Sequence, residues 1–322
     1  MEKFLDIIIP QYKETDDVID SLLASISTQA NVNQDEIGVI IVNDGTDVLI
    51  SDDELGKYPN LNTTYLKNEV NIGQGLTEQR GLDYSKAKFV TFIDADDEFI
   101  KGSLSKVINA LKENDFEILL SWFIEQLYID GKYSYYTHKD DLYNFLHGVF
   151  LKREYLYEHH IAFNDRIRHC EDTYFTKILF MTSDNHHILN SPTYLWKYNP
   201  NSFMRSTSNI ISKTYDDTFM CTVDVYDFIM KANPNKIENK YFLMSSVFDL
   251  FIKQKSQYFN LKPKKKYEDD LYNLFTFYED IFEEDLEVTK RIFEYQLASL
   301  KQVFPDITLT ETFHDFIKRM KG

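Results

Sequence analysis

The 322-residue chain holds 35 Lys and Arg against 52 Asp and Glu, a formal net charge of −17, and it is 43% hydrophobic and 27% charged. That composition excludes a wholly disordered or collagen-like chain and leaves room for one large or two ordinary domains. The negative field repels DNA, RNA and anionic lipid on average, so a nucleic-acid partner is not expected outside a local basic patch.

In chain order, residues 4–9 form a short Ile-rich strand ended by Pro10. Residues 16–29 are helical by the spacing of Val18, Leu22, Leu23 and Ile26. Residues 37–42 are a second buried strand, stopped by Asn43-Asp44-Gly45, and 62–66 a third. Residues 76–85 read as helix, 88–93 as a fourth strand, 102–112 as helix and 116–124 as another strand. Continuous apolar strands alternating with helices predict a mostly parallel α/β sheet covered on both faces, its strand C-terminal ends along one rim.

From about Tyr215 the texture changes. Glycine is absent until Gly322, and amphipathic helices are predicted at 216–231, 240–258, 267–282, 287–304 and 310–320. Asn233-Pro234-Asn235, Lys262-Pro263 and Pro305 punctuate them. The domains are therefore drawn as 1–210, α/β, and 211–322, all-α. The second is rich in aromatics, among them Tyr215, Phe219, Tyr226, Phe228, Tyr241, Phe242, Phe248, Phe251, Tyr258 and Phe259. Core packing explains such a set; an acceptor platform or a homo-oligomer interface would use it too. Lys262-Pro263-Lys264-Lys265-Lys266 reads as a solvated linker, or as a contact for a phosphate-rich polymer, a membrane surface or nucleic acid.

Two cysteines, Cys170 and Cys221, exclude a disulfide scaffold and offer no zinc-ligand spacing. The segment Met1-Glu2-Lys3-Phe4-Leu5-Asp6 has neither the basic stretch nor the apolar core of a signal peptide. The apolar runs fall far below the ~18 residues that suggest a membrane span. A cytoplasmic protein, or one peripheral at the inner face of the membrane, is expected.

The unusual residues fall on the predicted rim. Asp44 follows the second strand, and Asp94-Ala95-Asp96-Asp97-Glu98 crowds four acids into five positions after the fourth. Packed carboxylates repel. A divalent cation carrying a diphosphate would offset them, because hard cations take oxygen ligands and share them with phosphates. A solvated acidic turn capping the next helix is the plainer alternative. Taken singly, Pro10-Gln11-Tyr12-Lys13-Glu14, Val42-Asn43-Asp44-Gly45-Thr46, Asn71-Ile72-Gly73 with Arg80-Gly81, and Glu171-Asp172 each pass for ordinary junctions or helix starts.

Their order and spacing together resemble glycosyltransferase family 2, the inverting enzymes of the GT-A fold. The family pattern is a strand ending in Pro-x-Tyr/Phe-Asn-Glu, then Val-Asp-Asp-Gly-Ser, Asn-x-Gly…Arg-Asn, Phe-x-Asp-x-Asp-Asp and a later Glu-Asp. The segments above, with Phe92-Ile93-Asp94-Ala95-Asp96-Asp97, match it in turn. Tyr194-Leu195-Trp196-Lys197-Tyr198…Asn201-Ser202 also looks like the family's Tyr-x-Tyr-Arg…Ser element. The likeness runs from about 4 to 205. Lys13 stands where Asn is usual, Asn43 replaces an Asp, and Gly81 replaces Asn; the first and last bear on donor-sugar preference.

The resemblance implies a metal-dependent inverting transfer from a nucleotide-sugar, with a UDP-sugar expected, to a hydroxyl of a glycan or polyol-phosphate polymer in polysaccharide biosynthesis. Pro10, Tyr12 and Glu14 would line the nucleoside pocket, with Asp44 accepting a hydrogen bond from the base. Asn71, Gly73 and Arg80 would hold that end of the donor. Asp94 and Ala95 would lie near the ribose and sugar, and Asp96 would bind Mn²⁺ or Mg²⁺. Asp97 is either an acid that supports the site from behind the metal ligand or the N-cap of the following helix, and it is read as the cap. Asp172 would be the general base, with Glu171 its competitor. Of His186-His187, adjacent on a strand, at most one could reach the site, and His159-His160 are read as loop or acceptor-side residues. The rival readings are a nucleotidyltransferase with a similar acidic metal site, a glycosyltransferase acting on modified DNA bases, and a non-catalytic binding protein. The first of these would carry a Gly-rich basic loop after the first strand, where Pro10-Gln11-Tyr12-Lys13-Glu14 has no glycine.

Overall fold

Strands β1 (Leu5–Gln11), β2 (Ile37–Asn43), β3 (Asn62–Lys67) and β4 (Phe89–Phe92) pair in parallel in the order β3-β2-β1-β4. Every residue of β2 is buried, and in β1 only Pro10 is partly exposed. That is the signature of central parallel strands with both faces covered. In this computed structural model the described residues are 3–200, 202, 210–232, 237–256, 265–277 and 279–322.

Helices α1 (Asp16–Ser27), α2 (Asp52–Gly56), α3 (Gln74–Tyr84) and α4 (Ser103–Glu113) connect or flank these strands. α1 buries Ile19, Leu22, Leu23 and Ile26, and α4 buries Leu104, Val107, Ile108 and Leu111. α3 lies so close to β1 that a Cβ on Gly81 would come within 2.4 Å of Ile8 Cγ2. Gly81 is thus a helix–sheet packing residue.

Beyond β4 the sheet becomes mixed. β8 (Val149–Lys152) lies antiparallel between β4 and β6 (Ile118–Ile129). β9 (His186–Trp196) runs parallel to β6, and β5 (Glu98–Phe99) pairs antiparallel with β9. β7 (Lys132–His138) forms a hairpin with β6. Helices α5 (Arg153–Glu158) and α6 (Glu171–Thr182) complete this part. The antiparallel pairings are additions to the parallel sheet expected from sequence. They involve β5, of two residues, β7, with no apolar run, and β8, of four residues, none of which carries a long apolar run.

Strand order reverses about β1, so the crevice of this doubly wound sheet opens outside the C-terminal ends of β1 and β4. Gln11, Asp44 and Asp94 leave their strands on that edge.

Residues 1–202 form one compact unit and 203–322 a second. The second holds α7 (Ile210–Ala232), α8 (Ile237–Lys255), α9 (Lys265–Phe277), α10 (Glu279–Glu284), α11 (Leu286–Val303) and α12 (Phe313–Lys321). Its core contains Phe219, Tyr226, Phe248, Phe251, Phe275 and Phe316, so four of the aromatics picked out from sequence, Phe219, Tyr226, Phe248 and Phe251, are packing residues. Tyr241 is exposed, while Tyr258, Phe259 and Lys262–Lys264 lie outside the described residues. The Lys255 ammonium, itself buried, pairs with Glu268 and Glu311, and Arg319 joins the same two acids, tying α8, α9 and α12 together. Among the described residues no helix is long and apolar enough to cross a membrane.

Candidate active site

At the end of β2, Asp44 is buried and its carboxylate is saturated. Oδ1 accepts from Asn68 Nδ2 at 3.2 Å and the Ile72 N–H at 2.7 Å; Oδ2 accepts from Asn71 Nδ2 at 2.7 Å and the Gly73 N–H at 3.1 Å. Four acceptances fill the usual capacity of a carboxylate. Asp44 therefore organises the loop carrying Asn71 and Gly73. Gly45, at φ 66°, lets that loop approach, since a Cβ there would lie 2.1 Å from the Val70 carbonyl carbon. Arg80 is exposed and donates to the Lys67 carbonyl at 2.7 Å and to Asn68, so it reaches Asp44 only through Asn68. Arg168 donates to Asn71, linking this loop to the segment before α6.

Beside it, Asn43 donates to Gln11 at 2.6 Å and to the Val48 carbonyl at 3.0 Å, locking the ends of β1 and β2 together. The chain then turns through Tyr12, exposed, and Lys13, whose φ of 72° is left-handed. Asn is favoured in that region over most residues, which gives a physical reason for the family's Asn there. The turn closes when the Tyr12 N–H donates to Glu14 Oε2. Pro10, half-buried, is the penultimate residue of β1.

The acid turn follows β4. Asp94 Oδ1 accepts from Gln74 Nε2 at 2.8 Å, and Asp96 Oδ2 accepts from Asn199 Nδ2 at 2.7 Å. The second oxygen of each has no protein partner among the described residues and is open to solvent. Burial first, then the charges of Asp96 and Asp172, push the Asp94 carboxyl up to about 7. Burial also raises Glu14, with Asp96 adding to it. Asp94, Asp96, Glu14 and Asp172 therefore converge and share one electrostatic field. Ala95 is buried between the two acids.

Asp97 is not a helix cap. Its oxygens accept from the Tyr194 hydroxyl and from the Lys197 N–H at 2.7 Å, it is 1% exposed, and the cap position of α4 is Gly102. Asp97 holds the end of β9 against the acid turn. Burial keeps its carboxyl well above the ordinary carboxylate value.

Across the cleft, Cys170 adopts a left-handed φ of 67° immediately before α6, so the helix starts abruptly at Glu171. Asp172 Oδ1 accepts from the Thr173 N–H at 2.6 Å, leaving Oδ2 without a described partner. The residue is exposed, yet the packed surroundings of its carboxyl hold its pKa above the usual carboxylate value. Glu171 instead packs on α3, where a Cβ on Gly75 would come 2.9 Å from its Cβ and Cγ.

Three residues escaped the sequence reading. Gln74 and Glu78 sit on the first turns of α3, and Glu78 is buried beside Asp94 and Glu171, its carboxyl pushed well up by that burial. A polar residue at a core position of α3 was the signal. His147, between β7 and β8, stacks on Tyr194 with centroids 4.5 Å apart, and its Nδ1 is buried without a partner. Burial holds its pKa down at about 3, so it is a neutral imidazole. His187 stacks on Phe116 at 4.8 Å and His186 packs edge-on to Tyr143. His159 ends α5, and His160 follows it with a left-handed φ of 54°.

Ligand atoms of Asp94, Asp97 and His147 lie within 4.8 Å of one another, close enough for one ion. Both oxygens of Asp97 are engaged by protein donors, however. The oxygens left for a hard cation are those of Asp94 and Asp96, and this oxygen-rich donor set fits Mg²⁺ or Mn²⁺.

A profile described as Glycosyl transferase family 2 matches residues 6–187. The uncharacterized glycosyltransferase YibD of Escherichia coli is 30% identical over 117 residues, covering 35% of this chain and 32% of the relative. The uncharacterized glycosyltransferase MJ1057 of Methanocaldococcus jannaschii is 24% identical over 127 residues, 38% of this chain and 43% of the relative. The chain thus spans well under half the length of these relatives. In fold it is similar to S. aureus TarS residues 1–349, solved with UDP-GlcNAc, at a TM-score of 0.65, 17% identity, and coverage of 94% of this chain and 91% of that one. The same fragment solved with UDP gives a TM-score of 0.63 at 18% identity, covering 92% and 87%.

Proposed function

The chain belongs to glycosyl transferase family 2 and is a glycosyltransferase, and from that premise we propose that it moves a sugar with inversion from a UDP-sugar to a hydroxyl of a glycan or cell-surface polymer. One observation carries the reading: Asp172, from a distant segment of the chain, shares one electrostatic field with Asp94 and Asp96 at the C-terminal edge of β1 and β4. The UDP and UDP-GlcNAc of the TarS structures, bound in a fold of the same kind, support a uridine donor.

The loop held by Asp44, with Pro10, Tyr12 and Glu14, forms the nucleoside wall, Tyr12 offering a ring face. Asp96, with Asp94 beside it, would hold the cation. Mg²⁺ or Mn²⁺ bound there would supply charge neutralisation to the departing diphosphate. Asp172 accepts the proton of the acceptor hydroxyl as it attacks from the opposite side. Its raised pKa brings it nearer the working pH of a general base. Attack opposite the leaving group inverts the anomeric centre.

The test is diphosphate release from a panel of nucleotide-sugars, with and without Mn²⁺ or Mg²⁺. Slow UDP release from one UDP-sugar, stimulated by metal, is the expected result. Silence across the panel, or tight binding of nucleoside triphosphates in preference to UDP, overturns the reading in favour of a binding protein or a nucleotidyltransferase.

A further inference from the structure

The β6–β7 hairpin carries a feature that the transfer chemistry does not use. Asp130 (φ 51°) and Gly131 (φ 78°) make the tight turn, and the register pairs Gln126 with Tyr135 and Tyr128 with Tyr133. Residues opposite one another share a face. One face therefore presents Gln126, Tyr128, Tyr133 and Tyr135 together. Tyr128, Tyr133 and Tyr135 are 48%, 58% and 62% exposed, and Gln126 Nε2 steadies the Tyr135 hydroxyl at 3.1 Å.

This face is continuous with the acid turn. Tyr198 packs on Tyr128 with centroids 5.5 Å apart, Tyr128 packs on Tyr133 at 5.1 Å, and the Tyr198 N–H donates to Gln126 at 3.1 Å. On either side of Tyr198, the Lys197 N–H is bonded to Asp97 and the Asn199 amide to Asp96. A track of aromatic rings thus leads outward from the edge of the cleft. The four residues Gln126, Tyr128, Tyr133 and Tyr135 hold ring faces, hydroxyls and an amide, but no aliphatic side chain and no charge. A protein anchor would call for aliphatic groups, and a phosphate polymer for cations. Ring faces edged with hydroxyls suit the C–H faces and hydroxyls of uncharged sugar rings.

We propose that this hairpin face is the acceptor subsite, and that the acceptor is an oligosaccharide whose neutral pyranose rings stack on Tyr128, Tyr133 and Tyr135. The inference rests on the glycosyltransferase reading and narrows its acceptor to a neutral glycan of two or more sugars.

The test uses the full chain, an array of neutral saccharides from mono- to hexasaccharide, and UDP titration in parallel. All three tyrosines are exposed, so truncating them removes no core contact. Wild-type binding is expected to strengthen at least tenfold from mono- to tetrasaccharide on at least one series. Tyr128→Ala/Tyr133→Ala/Tyr135→Ala is expected to lose at least tenfold, the corresponding triple Phe variant to keep it, and UDP affinity to stay the same in all three. The proposal falls if the wild type binds no neutral saccharide, if the Ala variant binds like the wild type, or if the wild type is a dimer that the Ala variant splits. Absence of UDP binding by the wild type would instead sink the donor reading beneath it.

Discussion

At the end of β2, Asp44 accepts four hydrogen bonds from Asn68, Asn71, Ile72 and Gly73. At the end of β4, Asp94 and Asp96 each accept one side-chain bond and keep an oxygen open to solvent. Both rims end parallel strands of one sheet, and both carry acids. The first spends its acid on holding a loop; the second crowds its acids and leaves them underpaired. Burial of acids and their mutual repulsion at the second rim are a standing cost to the fold, and they make the site receptive to a cation. Sites built for binding commonly give up stability in this way.

The comparison is broken most severely by removing the acid across the cleft. Asp172→Asn is expected to lower transfer by about 10²–10⁴-fold, the usual worth of a general base, with UDP affinity unchanged by calorimetry. Near-normal turnover by this variant would remove Asp172 from the mechanism. At the first rim the loss should appear in stability. Asp44→Ala strands the donors of Asn68, Asn71, Ile72 and Gly73, and should cost about 3 kcal/mol in denaturant unfolding.

The second rim should respond in the opposite sense. Asp94 has a folded pKa of about 7 against an ordinary value of 3.8. Its penalty is absent at low pH, grows as pH rises between those values and is complete above 7. Asp94→Asn should therefore stabilise the metal-free protein by roughly 1–3 kcal/mol at pH 8 while abolishing metal-stimulated UDP release. No gain in urea midpoint would mean that the acids are not crowded. His147 tests the same region with the reverse sign. Its folded pKa of about 3 lies below the ordinary imidazole value of 6.5, so the unfolded chain binds the extra proton, and stability is lost as pH falls below 6.5. Between pH 6.5 and 5 this amounts to about 2 kcal/mol. His147→Phe should remove that part of the acid slope, read as the difference between the two unfolding curves.

The two rims were not equally legible in the sequence. β1, β2 and β4 are buried on both faces, so each appears as an unbroken apolar run, and the acids that follow stand out by contrast. The second half of the sheet is built differently. β7 reads Lys-Tyr-Ser-Tyr-Tyr-Thr-His, with no apolar run, and its clearest signal was Asp130-Gly131 at the hairpin turn. β8 has four residues. Asp97 looked like a helix cap because the sequence cannot show that Tyr194 and Lys197 return to it across about 100 residues. Gln74 was hidden for the same reason: its partner, Asp94, is contributed by a different element. Asp172 was legible only by resemblance; its field with Asp94 needed the fold.

The smallest expected effect lies at the first rim, in the turn after β1. Lys13 holds a left-handed φ of 72°, with its ammonium 4.7 Å from the Tyr12 ring centroid. Replacing Lys13 by an uncharged residue removes the cation–π contact. It relieves the backbone only if the replacement tolerates the left-handed region, as Asn does. Comparing Lys13→Asn with Lys13→Gln therefore cancels the lost cation and isolates the backbone. The Asn variant should be more stable by about 0.5–1 kcal/mol, part of the ~1–2 kcal/mol that a left-handed conformation costs an ordinary residue. Equal unfolding midpoints would show that the bond from the Tyr12 N–H to Glu14, rather than the preference of residue 13, fixes this turn.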